Sequence, residues 1–221
     1  MGEARRRAER DPTFGQIRKI TDYDREFAPD SPLEKFLYLT HIEWSNAWVE
    51  GGDVPISLAS SYLGDTRDGI YTPDENRIHD SPVDLTSLRP AIRVENVKNF
   101  TFVGCTINGQ RVPDIVNANY YLEDGIILSF CNVLNGAIAR RLRKKACVKI
   151  RNIQELKAEI DRQIGKAGII GDCRYTNDHQ RNHFLKSSAD AWQKEHRIFW
   201  REAEGRKVKI PAGTATLVAT F

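Results

Sequence analysis

The sequence predicts an α+β fold in which β-strands outnumber helices. Short apolar runs bounded by turn residues dominate the second half of the chain, and one longer segment has clear helical periodicity. Strands and helices do not alternate regularly, as they would in a doubly wound parallel sheet. With 221 residues, 40% of them hydrophobic, the chain can bury a substantial core.

The first 30 residues are predicted to form a charged N-terminal extension, helical or disordered. They contain Pro12, Pro29 and Asp30 and lack sustained apolar periodicity. The folded domain is expected to span residues 31–221. Arg5, Arg6 and Arg7 are not followed by an apolar segment, so they do not resemble a secretory signal. No apolar run approaches the ~20 residues of a membrane span. We therefore expect a cytoplasmic protein without membrane contact.

The domain is predicted to open with a strand, a short helix and a second strand. Residues 36–39 form an apolar run that ends at Thr40 and His41. Apolar residues at helical spacing over residues 44–49 then lead to the glycine pair 51–52, a typical helix stop. Residues 54–58 form the second predicted strand, and Pro55 places it at a sheet edge or a strand start.

The middle of the chain is predicted to contain a long loop and three strands. Residues 64–90 are rich in Asp, Arg, Pro, Ser and Asn, which favours a loop that could cover a site. Residues 92–97, 100–107 and 126–130 have the composition of strands. Asn108-Gly109 is a strong turn signal after the second of these runs.

The clearest helix is predicted for residues 153–164. Ile153, Leu156, Ile160 and Ile164 form an apolar stripe, residue 152 is an asparagine suited to cap the helix, and residue 165 is a glycine suited to end it. Residues 146–150 are predicted to form a strand leading into this helix. The closing strands are predicted at residues 197–200, 208–210 and 214–221.

Charge and cysteine content restrict the classes of partner. The chain carries 33 basic and 30 acidic residues, a formal net charge of +3, so an interaction with nucleic acid must depend on a local patch. The four cysteines are far apart without a Cys-x-x-Cys pair, which argues against a zinc ribbon and a disulfide scaffold.

Gln193 and Glu195 are the most informative residues of the chain. They stand two positions apart just before the apolar residues Ile198 and Trp200, and side chains at this spacing on a strand point to the same face. Such a strand can carry a carboxylate into a cleft. The alternative is a half-exposed edge strand whose Gln and Glu are solvated.

The order of three motifs resembles that of a known superfamily. Residues 38–41 place His41 at the end of a strand, residues 56–62 supply Ser60 and Tyr62, and Gln193-x-Glu195 follows late in the chain. This order resembles the ADP-ribosyltransferase superfamily over residues 36–71 and 192–200. Residues 192–199 are also similar to the end of a widespread bacterial domain of unknown function.

The resemblance implies a fold and an activity. The fold would be a single domain of split antiparallel β-sheets with flanking helices around an NAD cleft. The activity would be that of a glycosyltransferase-class enzyme, a mono-ADP-ribosyltransferase that moves ADP-ribose from its co-substrate NAD to a macromolecule. Such an enzyme could act as a bacterial toxin or anti-phage effector, and an antitoxin protein would then be a further partner.

The resemblance also implies roles for individual residues. Glu195 would stabilise the oxocarbenium-like centre that forms when the nicotinamide bond breaks, and Gln193 would orient the acceptor. The remaining NAD contacts would come from a strand end, a second strand and the following loop, namely Thr40, His41, Ser60, Tyr62, Arg67 and Tyr71. As alternatives without a ligand, His41 could be a satisfied histidine at a strand end, and Arg67 could belong to a solvated charged loop. Within these NAD contacts, Arg67 would bind the pyrophosphate, and Arg77 in the same loop is a second candidate for that role.

Two segments are candidates for binding the acceptor. The cations of residues 140–151, which include Arg143, Lys144 and Lys145, could follow the phosphate backbone of RNA or DNA, or could be a solvated helix end. Arg181 and His183 lie where the resembled superfamily has an acceptor-reading loop.

No metal is predicted. His179 and His183 are four residues apart and Cys173 lies upstream, but no familiar spacing supplies a fourth ligand. A polar loop accounts for these residues more simply.

Three functions remain open from the sequence. The first is ADP-ribosyl transfer. The second is a non-catalytic module of the same fold that binds nucleic acid or a partner protein. The third is an NAD glycohydrolase, in which water replaces the acceptor. No Gly-x-Gly-x-x-Gly or Walker motif supports hydride or P-loop phosphoryl transfer.

Overall fold

A computed structural model gives the structure of the chain and describes residues 18–19, 25–89, 91–107 and 109–221. The described residues form an α+β fold in which strands predominate, which confirms the predicted class. Most of the predicted N-terminal extension, residues 1–17 and 20–24, lies outside the described residues, as does Asn108 of the predicted turn.

The strands are short and are distributed over the whole described chain. They are β1 Arg18–Lys19, β2 Glu26–Phe27, β3 Lys35–Leu39, β4 Gly52–Ile56, β5 Arg77–Asp80, β6 Val97–Phe102, β7 Thr106–Ile107, β8 Gln110–Arg111, β9 Ile115–Leu122, β10 Gly125–Cys131, β11 Leu134–Asn135, β12 Ala146–Ile150, β13 Ile169–Asp172, β14 Arg174–Thr176, β15 Leu185–Ser187, β16 Glu195–Arg201, β17 Arg206–Ile210 and β18 Ala215–Thr220. The α-helices are α1 Ser45–Val49, α2 Gly136–Arg141 and α3 Ile153–Ile164. Single 3-10 turns occupy Ile42–Trp44, Ala59–Tyr62, Leu85–Leu88 and Ser188–Gln193.

The chain folds as two compact units, each built from separate stretches of sequence. The first unit comprises the described residues of Met1–Val54, Phe130–Gln163 and Lys207–Phe221, and the second comprises those of Pro55–Ser129 and Ile164–Arg206. The chain passes from one unit to the other within β4, β10 and β17 and at the end of α3.

The first unit is organised around a sheet of strands that are distant in sequence. β12 is its centre and pairs antiparallel with both β3 and β18, and β1 adds to β18 in parallel. All five residues of β3 are buried. β3 also pairs antiparallel with β10, where Cys131 is opposite Phe36, so it has a strand on both sides. A strand that is apolar on both faces is typical of a covered central position, which explains the continuous apolar run of residues 36–39.

The second unit contains several small sheets. β9 pairs antiparallel with β5 and with β6, and Leu85, Ile115 and Tyr120 belong to the apolar cluster on this sheet. β16 pairs antiparallel with β13, and β14 pairs in parallel with β15. The strand β16, which begins at Glu195, is buried over its first six residues.

Several sequence predictions are confirmed. The strands predicted at residues 36–39, 126–130 and 146–150 are β3, β10 and β12, and the closing strands correspond to β16, β17 and β18. The predicted helix and α3 have the same bounds, and the Asn152 Oδ1 atom accepts hydrogen bonds from the amides of Gln154 and Glu155. Gly109 has a positive φ of 76° between the paired residues Ile107 and Gln110, as a two-residue hairpin turn requires.

Three predictions of secondary structure are wrong. The predicted loop 64–90 contains β5 and a 3-10 turn, because Arg77–Asp80 pairs with β9 despite its polar composition. Residues 92–96 do not form the strand predicted at residues 92–97, and Val97 begins β6, which overlaps the strand predicted at residues 100–107. The strand β9 was missed because its interspersed asparagines mask the apolar alternation.

Candidate active site

Gln193 and Glu195 lie side by side at the start of β16 and contact the same buried lysine. The Lys186 Nζ atom is 3.0 Å from Gln193 Oε1 and 2.8 Å from Glu195 Oε2. The two side chains therefore converge on one cation. The predicted strand conformation of Gln193 is wrong, because this residue ends the 3-10 turn Ser188–Gln193 and the left-handed Lys194 (φ 47°) separates it from β16.

Glu195 belongs to a closed network of two carboxylates and two cations. The Arg197 Nη2 atom lies 2.6 Å from Glu75 Oε1 and 3.2 Å from Glu195 Oε2. Lys186 Nζ lies 3.6 Å from Glu75 Oε2. All four residues are less than 9% exposed. Equal numbers of positive and negative groups offset the cost of burying each charge, so the network is neutral as a whole.

The network keeps the Glu195 carboxylate ionised. Burial by itself would raise the pKa of this group, but the charges of Arg197 and Lys186 outweigh burial and hold the pKa well below its usual value. The pKa of Lys186 is raised in turn, because the two carboxylates outweigh its own burial and the charge of Arg197. The site therefore presents an anion, and not a neutral acid, at neutral pH.

Neighbouring groups fix the geometry of the network. The Gln193 Nε2 atom donates to the carbonyl of Gly69, and the Glu195 amide donates to the Tyr175 hydroxyl at 2.9 Å. Thr72 Oγ1 donates to Glu75 Oε2. The loop that carries Gly69 is therefore tied to the beginning of β16.

Four of the predicted NAD-binding residues lie in the same unit as Glu195. Arg67 and Tyr71 flank Gly69, the residue that Gln193 contacts. Arg67 forms ion pairs with Asp190 and Asp74 and is thus committed to internal carboxylates. Tyr71 is 46% exposed, so its ring is accessible to a ligand.

Ser60 and Tyr62 are held by internal contacts. The Ser60 amide and hydroxyl both donate to the Asp124 carboxylate, at 3.1 and 2.5 Å. Tyr62 packs against an apolar cluster that includes Phe199, and burial raises the pKa of its hydroxyl. These two residues are positioned on the 3-10 turn Ala59–Tyr62, where sequence reasoning expected a strand edge.

Thr40 and His41 lie in the first unit, next to the basic run. Lys144 Nζ donates to Thr40 Oγ1 at 3.0 Å, and the Lys145 amide donates to the carbonyl of Leu39. The His41 side chain is 53% exposed and its ring centroid lies 4.6 Å from that of Trp44, which is itself 52% exposed. The end of β3 thus brings a predicted NAD-binding pair together with the predicted acceptor residues Lys144 and Lys145. Arg143 is exposed in the same run.

Arg181 and His183, also predicted to contact the acceptor, are engaged in the interior of the second unit. Arg181 Nε lies 2.7 Å from Asp74 Oδ2, and its main chain pairs with that of His79. The His183 ring is stacked on Phe199 at a centroid distance of 3.6 Å and is 4% exposed. Burial, and then the charges of Arg197 and Arg201, lower the pKa of His183 to about 3, even though its Nε2 atom lies 3.3 Å from Glu123 Oε2, a contact that favours the protonated ring. Both side chains are therefore poorly accessible to a macromolecule.

The residues considered for a metal site contact other groups of the protein or are protonated. The His179 Nε2 atom contacts the carbonyl of Ser81, and His179 Nδ1 faces Asp178. Burial raises the pKa of Cys173 to about 12, so its thiol is protonated. Across the described ranges, no group of three or more His, Cys, Asp or Glu side chains is arranged to hold a metal ion.

Sequence reasoning missed the groups that surround Glu195. Arg197 could have been found, because it follows Glu195 by two residues and so shares its face of the strand. Glu75 and Lys186 come from a polar loop and from the short strand β15, and no local pattern distinguishes them.

Neither the comparison with known proteins nor the character of the helices identifies the function of this site. No protein-family model, curated protein or solved structure matches the chain. In the part of the chain that the structure describes, none of the helices combines the length and the apolar character needed to cross a membrane. The functional assignment therefore depends on the site of Glu195 and on the surface at the end of β3.

Proposed function

We propose that the chain is a mono-ADP-ribosyltransferase that transfers ADP-ribose from NAD to a nucleic-acid acceptor. The observation that carries the proposal is the convergence of Gln193 and an ionised Glu195 on Lys186. Tyr71, an exposed residue near Gly69, is the nearest candidate to hold the dinucleotide, and Arg67 would have to leave its ion pairs with Asp190 and Asp74 to bind it. This arrangement fits the ADP-ribosyltransferase-like fold that we propose for the chain.

The chemistry needs a negative charge beside the nicotinamide ribose. The bond between the ribose C1′ atom and the nicotinamide nitrogen breaks, and its electron pair leaves with neutral nicotinamide. Glu195 would stabilise the positive charge that develops on the ribose and would accept a hydrogen bond from the 2′-hydroxyl. The acceptor then forms a bond to C1′ and releases its proton. Gln193 would orient the acceptor.

Substrate binding must open the network around Glu195. Lys186 and Arg197 contact both oxygens of the carboxylate, and the residue is 8% exposed. The 2′-hydroxyl of NAD would therefore have to replace one of these contacts. Movement of the Gly69 loop would give NAD access, because Gln193 links Gly69 to Lys186, which contacts the carboxylate.

The surface at the end of β3 supports nucleic acid as the acceptor. An exposed Trp44–His41 pair lies beside Thr40, which holds Lys144, and Lys145 is exposed next to it. Aromatic rings that stack on bases, combined with cations that track phosphates, are typical of single-strand binding. His41 and Thr40 were predicted to contact the second ribose of NAD, and this role remains a proposal for the same two residues.

A second candidate is a binding module without catalysis. Glu195 is buried, both of its oxygens are engaged, and its charge is balanced within the network, as in a purely structural ion cluster. The surface at the end of β3 would then provide the function by itself.

A labelling experiment separates the candidates. Purified protein is incubated with NAD labelled in its adenylate portion, together with RNA, DNA or cell protein. Label on RNA or DNA supports the proposal, and label on protein retains the transferase but refutes the acceptor. Free ADP-ribose alone identifies a glycohydrolase, and unconsumed NAD favours the binding module.

The variant Glu195→Gln tests the catalytic residue. Removal of the carboxylate charge should lower the transfer rate about 100-fold or more, the range found for loss of one electrostatic stabiliser of a transition state. Glu204→Gln is the matched control, because Glu204 is exposed. Both proteins are compared at a temperature where thermal unfolding shows them to be folded. Full activity of folded Glu195→Gln would refute the assignment.

A further inference from the structure

A cavity in the second unit is lined by residues that have no role in the proposed transfer. Its volume is about 710 Å³, within the range of small-molecule sites. It is formed by β5, β9 and the segments around the 3-10 turn Leu85–Leu88, and its lining includes Arg77, Arg89, Tyr120 and Leu122. Glu195 does not contribute to it, and Arg77, although considered above as a ligand of the NAD pyrophosphate, is not used in the proposed transfer.

The cavity is electropositive. Arg89 and Arg93 share a single carboxylate, that of Glu95, at 2.9 and 2.8 Å. Arg77 donates to the Tyr120 hydroxyl and lies over the Tyr120 ring, and among the described residues it forms no ion pair with a carboxylate. The lining therefore holds two guanidinium groups, those of Arg77 and Arg89, and one carboxylate, that of Glu95, which the exposed Arg93 outside the lining also contacts. This leaves capacity for an anionic ligand.

One side of the cavity is apolar. Leu122 is the cross-strand partner of Arg77, and Tyr120 lies two residues before Leu122 on the same face of β9. Leu122 is 61% exposed, so its side chain is accessible to a ligand. A flat apolar group placed against Leu122 and Tyr120 would remove this surface from water and leave an attached anion near the arginines.

Polar groups complete the lining. Thr86 and Asn96 supply a hydroxyl and an amide. Asn96 lies in the lining and has a positive φ of 52°, a backbone conformation that is uncommon for residues other than glycine. A hydroxyl and an amide can pair with the donor and acceptor edge of a nucleobase.

We propose that this cavity binds a nucleoside phosphate, with the phosphate on Arg77 and Arg89 and the base against Tyr120 and Leu122. The nucleoside phosphate is either a free nucleotide or one nucleotide of a single strand, which have this chemistry in common. The inference goes beyond the proposed function and does not require NAD cleavage, because it concerns equilibrium binding in the absence of NAD.

Binding to the full-length protein is measured by isothermal titration calorimetry. The probes are AMP, UMP, ribose 5-phosphate, inorganic phosphate and a short single-stranded oligonucleotide. A nucleoside monophosphate that binds at least tenfold more tightly than inorganic phosphate supports the proposal. If only the oligonucleotide binds, and the variants below weaken it, the source of the nucleotide is a strand. Equal affinity for inorganic phosphate, or no binding of any probe, overturns the proposal.

Two variants locate the site without threatening the fold. Arg89→Gln removes a half-exposed guanidinium and should weaken nucleotide binding about tenfold, the value of one charge-assisted hydrogen bond. Leu122→Glu places a carboxylate at an exposed position of the lining and should abolish binding. Val116→Glu and Arg111→Gln are matched controls, at exposed positions outside the lining, and should bind as the unaltered protein does. Unchanged binding by both lining variants would overturn the site.

Discussion

At the scale of single residues, the buried ion network has the largest energetic consequence. Lys186 contacts Glu195 at 2.8 Å, and Arg197 contacts Glu75 at 2.6 Å, so each cation has a nearest carboxylate. Removal of one member leaves an unbalanced charge in the interior, whereas removal of a cation with its nearest carboxylate leaves a neutral pair. The four side chains are therefore expected to behave as two coupled pairs.

This coupling can be measured by a double-mutant cycle. Lys186→Met should lower the free energy of unfolding by about 3 kcal/mol, because Glu195 and Glu75 then share only Arg197. Addition of Glu195→Gln should restore at least about 1 kcal/mol relative to the sum of the single effects. Urea unfolding of the four proteins provides the values. Additive effects would contradict the coupling.

The buried imidazole of His183 predicts a loss of stability in mild acid. Its pKa is about 3 in the folded protein, against 6.5 for an unperturbed histidine. Below pH 6.5 the unfolded chain therefore binds a proton that the folded protein does not, and stability falls with pH until the folded pKa is reached. Between pH 7.5 and pH 5 this single group should cost about 2 kcal/mol.

His183→Phe should remove that part of the pH dependence. A phenyl ring can keep the stacking on Phe199 and does not titrate. The difference in unfolding free energy between pH 7.5 and pH 5, obtained from urea titrations, should shrink by about 2 kcal/mol relative to the unaltered protein. An unchanged difference would show that His183 is protonated in the folded state at pH 5.

At the scale of elements, the cap of α3 contributes measurably to stability. Asn152 Oδ1 accepts from the amides of Gln154 and Glu155, at 3.0 and 3.4 Å. Asn152→Ala should lower the free energy of unfolding by about 1 kcal/mol, because both amides lose this acceptor. Asn152→Ser keeps an acceptor at the cap and should remain close to the unaltered protein, whereas an aspartate would set a carboxylate against Glu155 Oε1, which accepts from Asn152 Nδ2 at 2.8 Å. Equal losses in the two variants, measured by urea unfolding, would contradict a capping role.

The close approach of Gly125 to β16 makes this position intolerant of a side chain. A Cβ atom there would lie 2.2 Å from the carbonyl oxygen of Trp200, whereas one at Gly171 would meet nothing closer than 3.8 Å. Gly125→Ala should therefore cost about 2 to 3 kcal/mol, the range for overpacking. Gly171→Ala should be nearly neutral. Thermal unfolding of the two variants tests the contrast.

Elements with a strong local pattern could be predicted, and those defined by distant pairing could not. α3 has an apolar stripe, a cap and a terminal glycine within one segment, so its bounds follow from local rules. Arg77–Asp80 has a polar sequence and is a strand only because β9 lies beside it. The spacing of Gln193 and Glu195 predicted two side chains on one face of a strand, whereas a 3-10 turn and a left-handed residue precede β16 and both side chains contact Lys186.

At the scale of the whole molecule, the order of the strands in the sheet could not be predicted from the sequence. β18, β12 and β3 are neighbours in the first unit, yet they come from the end, the middle and the beginning of the chain. No local propensity encodes which distant strands pair. The surroundings of Glu195 were missed for the same reason, because Glu75 and Lys186 reach it through such long-range contacts.

Charge is also a property of the whole molecule, and it is unevenly distributed along the chain. The net charge is only +3, but five of the six residues from Arg140 to Lys145 are cations. Nucleic acid should therefore bind this run and the adjacent Trp44 through two separable contributions. Cations release counterions and set the dependence on salt, whereas stacking on an aromatic ring contributes affinity that depends little on salt.

Two variants separate these contributions in fluorescence-anisotropy titrations of single-stranded oligonucleotides at several salt concentrations. Lys145→Gln should reduce the slope of log affinity against log salt by about 1, while Lys209→Gln, an exposed lysine outside the run, should not. Trp44→Ala should weaken binding by about 1 to 3 kcal/mol at every salt concentration and leave the slope unchanged. Ile42→Ala removes an exposed apolar side chain without a ring and should have little effect. If Trp44→Ala changes only the slope, or if Lys145→Gln and Lys209→Gln behave alike, the run is a solvated surface and the acceptor must bind elsewhere.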